Sequence, residues 1–331
     1  MAGHSHGDHG ATQPGSFNFR VASAADYDRV RHGATRPLLG STLILAVVFA
    51  ALALLDRSGA SLGGNGPTMA ACLVILLFGL PHGALDLEII KQQRRTGRLG
   101  MIALLLLYVG LAAAVAAFWR FSPVGALALF IGVSMVHFAE DWSDLGSAFL
   151  AQGMAIALLS APTLFHLADI ERLFIAVSGS SKAALIANLM LLIAPMSVAV
   201  AGMSLWTLWR TGLRDQAFVG GLALAGMIVL PPVIGFAFFF CLFHSPRHLQ
   251  LARSQIASSI KWRWIVLLVT LAALGISALL FAGAMRTDMP ARFVAASFMT
   301  LSLLTVPHMA VPLIARSLAQ WRRGTQRRRE D

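Results

Sequence analysis

Nine long apolar stretches fill the chain between residues 37 and 315 and limit its fold more than any other feature. Each is long enough to cross a bilayer as a helix, which takes about 20 predominantly apolar residues. None has the alternating pattern of a membrane β-barrel strand. The sequence therefore predicts an all-α, polytopic transmembrane helical bundle, with the stretches at residues 37–55, 67–90, 99–119, 121–139, 145–168, 183–209, 216–243, 264–285 and 291–315.

The composition indicates a membrane domain rather than a soluble one. Hydrophobic residues make up 57% of the chain, charged residues only 12%, and the mean hydropathy is +0.73. The formal net charge of +11 does not indicate a nucleic-acid partner, because basic residues such as Lys91 and Arg98 stand at the ends of apolar stretches. No basic groove with interleaved aromatic residues is visible, so membrane orientation explains the charge better.

We divide the chain into a polar N-terminal tail (1–36), a transmembrane catalytic domain (37–316) and a basic C-terminal tail (317–331). The N-terminal tail lacks the apolar core of a signal peptide, and we expect it to be partly disordered. Its His4, His6 and His9 could bind metal loosely, although such a pattern is more typical of a solvated terminus.

The basic residues predict a membrane protein with both termini cytoplasmic. Nine strict crossings would place the Arg-rich C-terminus on the side opposite the basic N-terminal region, against the positive-inside rule. Pro231 and Pro232 interrupt the stretch 216–243, which indicates a broken or re-entrant helix. We therefore expect about 8–10 spans, with an even effective number.

Histidines are the most informative polar residues of the apolar stretches, because polar groups at membrane depth are costly. A single intramembrane histidine more often bonds a neighbouring helix than a metal ion. His244 and His248, however, are four residues apart, which is the spacing found in helical metal sites. The predicted topology also brings all five histidines toward the cytoplasmic third of the bilayer, so one metal site could gather them. The segments are PHGALD with His82, VHFAED with His137, FHSPRH with His244 and His248, and VPHM with His308.

Carboxylates near these histidines could accept the second ring N–H of a metal-binding imidazole and hold its orientation. The candidates are Asp86, Glu140, Asp141 and Asp144. Nitrogen ligands alone do not identify the metal, because imidazole suits zinc, copper, iron and nickel.

Other polar or aromatic features have simpler interpretations. His166 is predicted to be an interfacial residue at the opposite end of the bundle. Cys72 and Cys241 fall inside apolar stretches and are predicted to be small core residues. The phenylalanine-rich run 236–243 could line a cavity for a long apolar substrate, although packing in the core is the commoner role of such a run.

The four histidine segments together resemble the Brp/Blh family of membrane-bound β-carotene 15,15'-dioxygenases. Each motif is short, but their order and separation are specific. His137 follows His82 by 55 residues, and His244 follows His137 by 107. The resemblance covers most of residues 67–315.

This resemblance implies an all-helical inner-membrane enzyme that uses O2 and Fe(2+) to cleave the central double bond of β-carotene into two all-trans-retinal molecules. By motif, it implies His82, His137, His244 and His248 as the metal ligands. We place His308, with Asp86, beside them as the predicted catalytic residues. The substrate would enter from the lipid bilayer, and the product suggests a functional link to a microbial rhodopsin.

Two other classes of function stay open on the sequence alone. One is another intramembrane metalloenzyme, either a zinc hydrolase or a di-iron lipid desaturase. Desaturases carry repeated histidine boxes, whereas this chain has one HxxxH. The other is a transporter or a haem or quinone carrier, which embedded histidines and proline breaks could serve.

Overall fold

A computed structural model describes residues 39–94, 97–257, 261–283 and 288–330 of this 331-residue chain. Within these ranges the side chains of residues 39–41, 80–82, 93–94, 313 and 315–330 are not described. The predicted N-terminal tail with His4, His6 and His9 lies outside the described residues.

All regular structure in these ranges is helical, which confirms the predicted all-α class. Short π- or 3-10-helical segments join several α-helices near the candidate site, at Ile75–Gly79, Leu80–Leu85, Glu140–Leu145 and Phe240–His244. The α-helices are α1 (Leu39–Arg57), α2 (Asn65–Val74), α3 (Asp86–Arg94), α4 (Arg98–Phe121), α5 (Pro123–Ala139), α6 (Ala148–Ser160), α7 (Thr163–Ser178), α8 (Ala184–Arg210), α9 (Arg214–Val229), α10 (Pro232–Phe239), α11 (Ser245–Ser254), α12 (Trp262–Gly283) and α13 (Met289–Glu330).

Six helical segments of the described residues are long and apolar enough to cross a membrane, so the chain is a multi-pass membrane protein. They are Asn65–Gln92, Arg98–Phe121, Pro123–Leu145, Ser181–Arg210, Trp262–Gly283 and Met289–Pro312. A seventh candidate is the pair α6 and α7, which are bent by 64° relative to each other. Helix α1 has 19 residues and is not among the six.

This number is lower than the predicted 8–10 because α1 is not counted and two apolar stretches are divided. Stretch 145–168 bends between α6 and α7, next to Pro162. Stretch 216–243 ends α9 at Val229, and Leu230 is extended (φ −82°, ψ 152°) before Pro231. A residue before proline is pushed out of the helical region, and proline lacks the N–H that would continue the helix. The predicted interruption at Pro231 and Pro232 is therefore confirmed.

Helices α6 and α8 pack with their backbones close together, through small residues. The Ser160 and Ser197 hydroxyls lie 2.9 Å apart across this contact, and Ser204 Oγ donates to the Leu150 carbonyl at 3.0 Å. Close approach through small residues is the usual way that helices associate in lipid. At Gly153 an added Cβ would lie 2.2 Å from Val200 Cγ1.

The Gly153→Ala variant is therefore expected to lower the free energy of unfolding by about 1–3 kcal/mol, the usual cost of overpacking. Thermal unfolding of the detergent-solubilised protein measures this. Gly202→Ala on α8 is the matched control, because a Cβ there meets no atom within 4 Å. Equal melting temperatures for the two variants would contradict the close packing at Gly153.

Candidate metal centre

Two irregular helix junctions form the centre of the candidate site. Helix α5 ends just after His137 and continues as the tighter segment Glu140–Leu145. On the other side, the wider π-helical turn Phe240–His244 leads into α11. Such π-helical turns are often found at functional sites. Pro246 lies in the first turn of α11, where its missing N–H costs no helical hydrogen bond.

These junctions bring three of the predicted ligands together. Among the described residues, His137, His244 and His248 each offer a ligand atom within 4.8 Å of the others. His137 and His244 are buried, and their Nε2 atoms lie 3.1 Å apart. The ring centroid of His248 lies 4.4 Å from that of His244 and 5.1 Å from that of His137. The backbone of His82 lies in the segment Leu80–Leu85, and its side chain is outside the described residues.

The spacing of these nitrogens fits a shared transition-metal ion. Imidazole nitrogens bind zinc at about 2.0–2.1 Å, which places two of them about 2.8–3.4 Å apart on one ion for right-angled or tetrahedral geometry. The 3.1 Å between His137 Nε2 and His244 Nε2 falls in this range. The donor set is also suitable, because imidazole binds zinc, copper, iron and nickel.

The predicted carboxylates divide into different roles. Asp141 contacts two of the three imidazoles, with Oδ2 2.7 Å from His244 Nδ1 and Oδ1 3.2 Å from His248 Nε2. Asp144 instead accepts hydrogen bonds from Arg247 at 3.2 Å and Gln216 at 3.1 Å. The half-exposed Glu140 lies 3.8 Å from His137 Nδ1.

His308 and Asp86 form a pair at the edge of the three imidazoles. Asp86 Oδ2 lies 2.5 Å from His308 Nδ1, and the His308 ring centroid is 5.0 Å from that of His137. This approach depends on Gly83, because an added Cβ there would lie 2.9 Å from His308 Nδ1. The structure thus brings both predicted catalytic residues next to the histidine cluster, although their chain positions are 222 residues apart.

Aromatic rings enclose the buried side of the cluster. Phe240 stacks on His244 at a centroid distance of 5.3 Å, and Phe138 meets the same imidazole edge-on at 4.8 Å. Phe236 stacks in turn on Phe240 at 5.2 Å. Part of the phenylalanine-rich run therefore forms the wall of the site, a role that the sequence offered only as an alternative to ordinary core packing.

An apolar cavity begins one helical turn from His137. Its lining includes Phe130, Ser134, Phe236 and Phe298, and Ser134 precedes His137 by three residues on α5. Residues three apart lie on the same helix face. The cavity measures about 80 Å³, less than the roughly 300–1,000 Å³ of small-molecule sites, so a large ligand must displace lining side chains.

The remaining candidates are not part of the histidine cluster. His166 Nε2 bonds the carbonyl of Ile228 at 3.0 Å, at a kink in α7. Cys72 and Cys241 are free and buried, which confirms their predicted role as core residues. Gly79, Pro81 and Gly83 signal the irregular backbone before α3, whereas Glu140–Leu145 and Phe240–His244 contain no proline or glycine and were not predicted.

Comparisons with known proteins agree with the motifs. Residues 73–314 match the family model described as Beta-carotene 15,15'-dioxygenase. A relative of that name from uncultured marine bacterium 66A03 is 27% identical over 72% of this chain and 90% of its own length. A Halobacterium salinarum protein named "Probable beta-carotene 15,15'-dioxygenase Blh" is 25% identical over 68% of this chain and 72% of its own. No solved structure matches the chain. Because the matching residues span most of the chain and contain every clustered histidine, the chain belongs to the beta-carotene 15,15'-dioxygenase family.

Proposed function

We propose that this protein cleaves the central 15,15' double bond of β-carotene with O2 to give two molecules of all-trans-retinal. The reaction balances without a further reductant, because one O2 supplies one oxygen atom to each of the two aldehydes. The convergence of His137, His244 and His248 within a carotene-cleaving family carries the proposal. Family membership does not favour the hydrolase, desaturase and transporter alternatives.

We further propose Fe(2+) as the cofactor, held by the three clustered imidazoles together with His82. Ferrous iron would supply the redox chemistry with O2 that no amino-acid side chain provides. The imidazoles would bind it as neutral ligands, and Asp141 would orient two of them through their other ring nitrogens. His308, held by Asp86, would lie beside the metal ligand His137.

The protein's other contribution is to receive the substrate and exclude water. β-Carotene is a hydrocarbon that partitions into lipid, so entry from the bilayer avoids a passage through water. The cavity beside His137 is lined almost entirely by apolar side chains, which suits the polarity of a polyene arm, and some of these side chains would move to admit it. Selection of the central bond would then rest on the length and shape of this cavity rather than on hydrogen bonds.

The remaining parts of the proposal concern location and partners. Basic residues at the ends of the apolar stretches favour an orientation with both termini cytoplasmic, and the family resemblance favours the cell inner membrane. Lipid and dissolved O2 would be the immediate partners. The proposed product, retinal, is a chromophore precursor, so a microbial rhodopsin is the expected consumer.

The test uses the full chain, purified in detergent and incubated with β-carotene in air. We expect all-trans-retinal as the chromatographic product, at two molecules per β-carotene consumed, and about one iron per chain by elemental analysis. Chelation should remove activity, and added Fe(2+), but not Zn(2+), should restore it. An iron-loaded protein that leaves β-carotene intact would refute the proposal, as would zinc as the stoichiometric metal or a Soret band from haem.

A further inference from the structure

Asp141 is a buried carboxylate that uses both of its oxygens on imidazoles. Oδ2 contacts His244 Nδ1 at 2.7 Å and Oδ1 contacts His248 Nε2 at 3.2 Å. The two histidines are the i, i+4 pair at the start of α11, and Asp141 reaches them from the segment after α5. One carboxylate thus serves both members of the pair.

The backbone around Asp141 explains how it reaches two rings at once. It follows His137 by four residues, and the chain leaves helical geometry at the next residue, Trp142 (φ −110°, ψ 18°). The ion pair between Asp144 and Arg247 ties the same segment to α11. The position of Asp141 is therefore fixed by α5 on its N-terminal side and by the Asp144–Arg247 ion pair on its C-terminal side.

We propose that Asp141 is the positioning residue of the metal centre and that it makes the two histidines bind metal through different ring nitrogens, His244 through Nε2 and His248 through Nδ1. This inference rests on the proposed metal site. A neutral imidazole has one N–H and one lone pair, so the nitrogen that donates to Asp141 leaves only the other for a metal.

The position of His137 supports this choice for His244. His244 Nε2, the nitrogen on the side away from Asp141, is the atom that lies 3.1 Å from His137 Nε2. For His248, Nε2 donates to Asp141, so the lone pair of the neutral ring is on Nδ1. A mixed pair would also let both rings tilt toward one ion although their planes differ by 39°.

Asp141 also sets the charge beside the centre. Neutral imidazoles do not offset the charge of a divalent ion, and a buried carboxylate in contact with two of them does so in part. The other nearby carboxylates face different groups: Asp86 pairs with His308, Asp144 pairs with Arg247, and Glu140 is half-exposed beside His137. Loss of the Asp141 charge should therefore weaken metal binding and raise the reduction potential of bound iron.

The first experiment determines the ring nitrogens directly. The full chain is labelled with 15N-histidine, loaded with Zn(2+) as a diamagnetic probe, and studied by long-range 15N–1H NMR. The variants His244→Cys and His248→Cys, which keep a zinc-binding side chain, assign the signals. We expect one ring bound through Nε2 and the other through Nδ1. Two rings bound through the same nitrogen would overturn the inference, whatever the variants of Asp141 do.

The second experiment uses Asp141→Asn, which keeps the shape of the side chain. An amide has one acceptor oxygen, so it can accept from only one of the two imidazoles. We expect zinc affinity to fall by about 10- to 100-fold, and one of the two ring signals to change its nitrogen. Asp169→Asn is the control, because it removes a carboxylate that pairs with the exposed Arg172 on α7, outside the histidine cluster.

The two proposals fail separately in these experiments. Zinc binding and ring nitrogens are measured without turnover. If the protein shows the mixed pair of ring nitrogens but leaves β-carotene intact, the positioning role of Asp141 is supported and the proposed function is refuted. If the protein makes retinal but its Asp141→Asn variant has unchanged metal affinity, the proposed function is supported and the positioning role is refuted.

Discussion

The His244→Ala variant is expected to lose bound metal and β-carotene cleavage together, with metal affinity reduced by more than about 100-fold, because removal of a ligand should exceed the loss from removing its supporting residue. His244 is fully buried between His137, Asp141 and the ring of Phe240. Elemental analysis of the purified variant and retinal chromatography measure the two losses.

The control for this variant is His166→Ala. His166 is another histidine of the bundle. It is partly buried, bonds the Ile228 carbonyl and lies outside the cluster. We expect it to keep wild-type iron content and turnover. If His244→Ala kept stoichiometric iron, or if both variants lost it equally, the clustered imidazoles would not be the metal site.

The second large effect is expected on stability, from the ion pair of Asp144 and Arg247. The two side chains are only 3% and 10% exposed, and the carboxylate also accepts from Gln216. Asp144→Asn removes the negative charge that faces the buried guanidinium, and breaking a buried pair in this way costs about 3–5 kcal/mol. Unfolding of the solubilised protein, followed by circular dichroism, measures the change.

Asp169→Asn provides the matched comparison. Asp169 pairs with Arg172 on α7, but these side chains are 47% and 76% exposed, and exposed pairs contribute about 0–1 kcal/mol. We expect its stability to stay close to wild type. Similar losses in the two variants would show that burial does not set the strength of these pairs.

Hydropathy predicted the helical class and most of the spans, because a span requires only a sufficient run of apolar residues. It predicted one continuous helix for stretch 145–168, but the structure has two, α6 and α7, bent by 64°. Hydropathy did not signal this bend because it lies within an apolar run. The break at Pro231 was predictable because proline acts through its own covalent geometry. A helix break could therefore be predicted from the sequence where a single residue type, proline, causes it.

The sequence predicted the histidines of the candidate site one by one, but it predicted their carboxylate partners only as a set of four candidates. Asp141 and Asp144 are three residues apart and equally suited to support an imidazole by sequence. In the structure the first contacts His244 and His248, and the second contacts Arg247. The non-helical geometry at Trp142 separates their directions, and no sequence pattern signalled it.

The sequence by itself determined a multi-pass helical membrane protein, the histidine segments and the family to which they belong. Only the tertiary structure decided that His137 meets His244 across 107 residues of chain, that Asp141 rather than Asp144 serves the pair, and that Gly83 makes room for His308. The physical reason is that apolar runs and motifs act over a few residues. The contacts of a buried polar side chain instead depend on how distant helices pack and where they break.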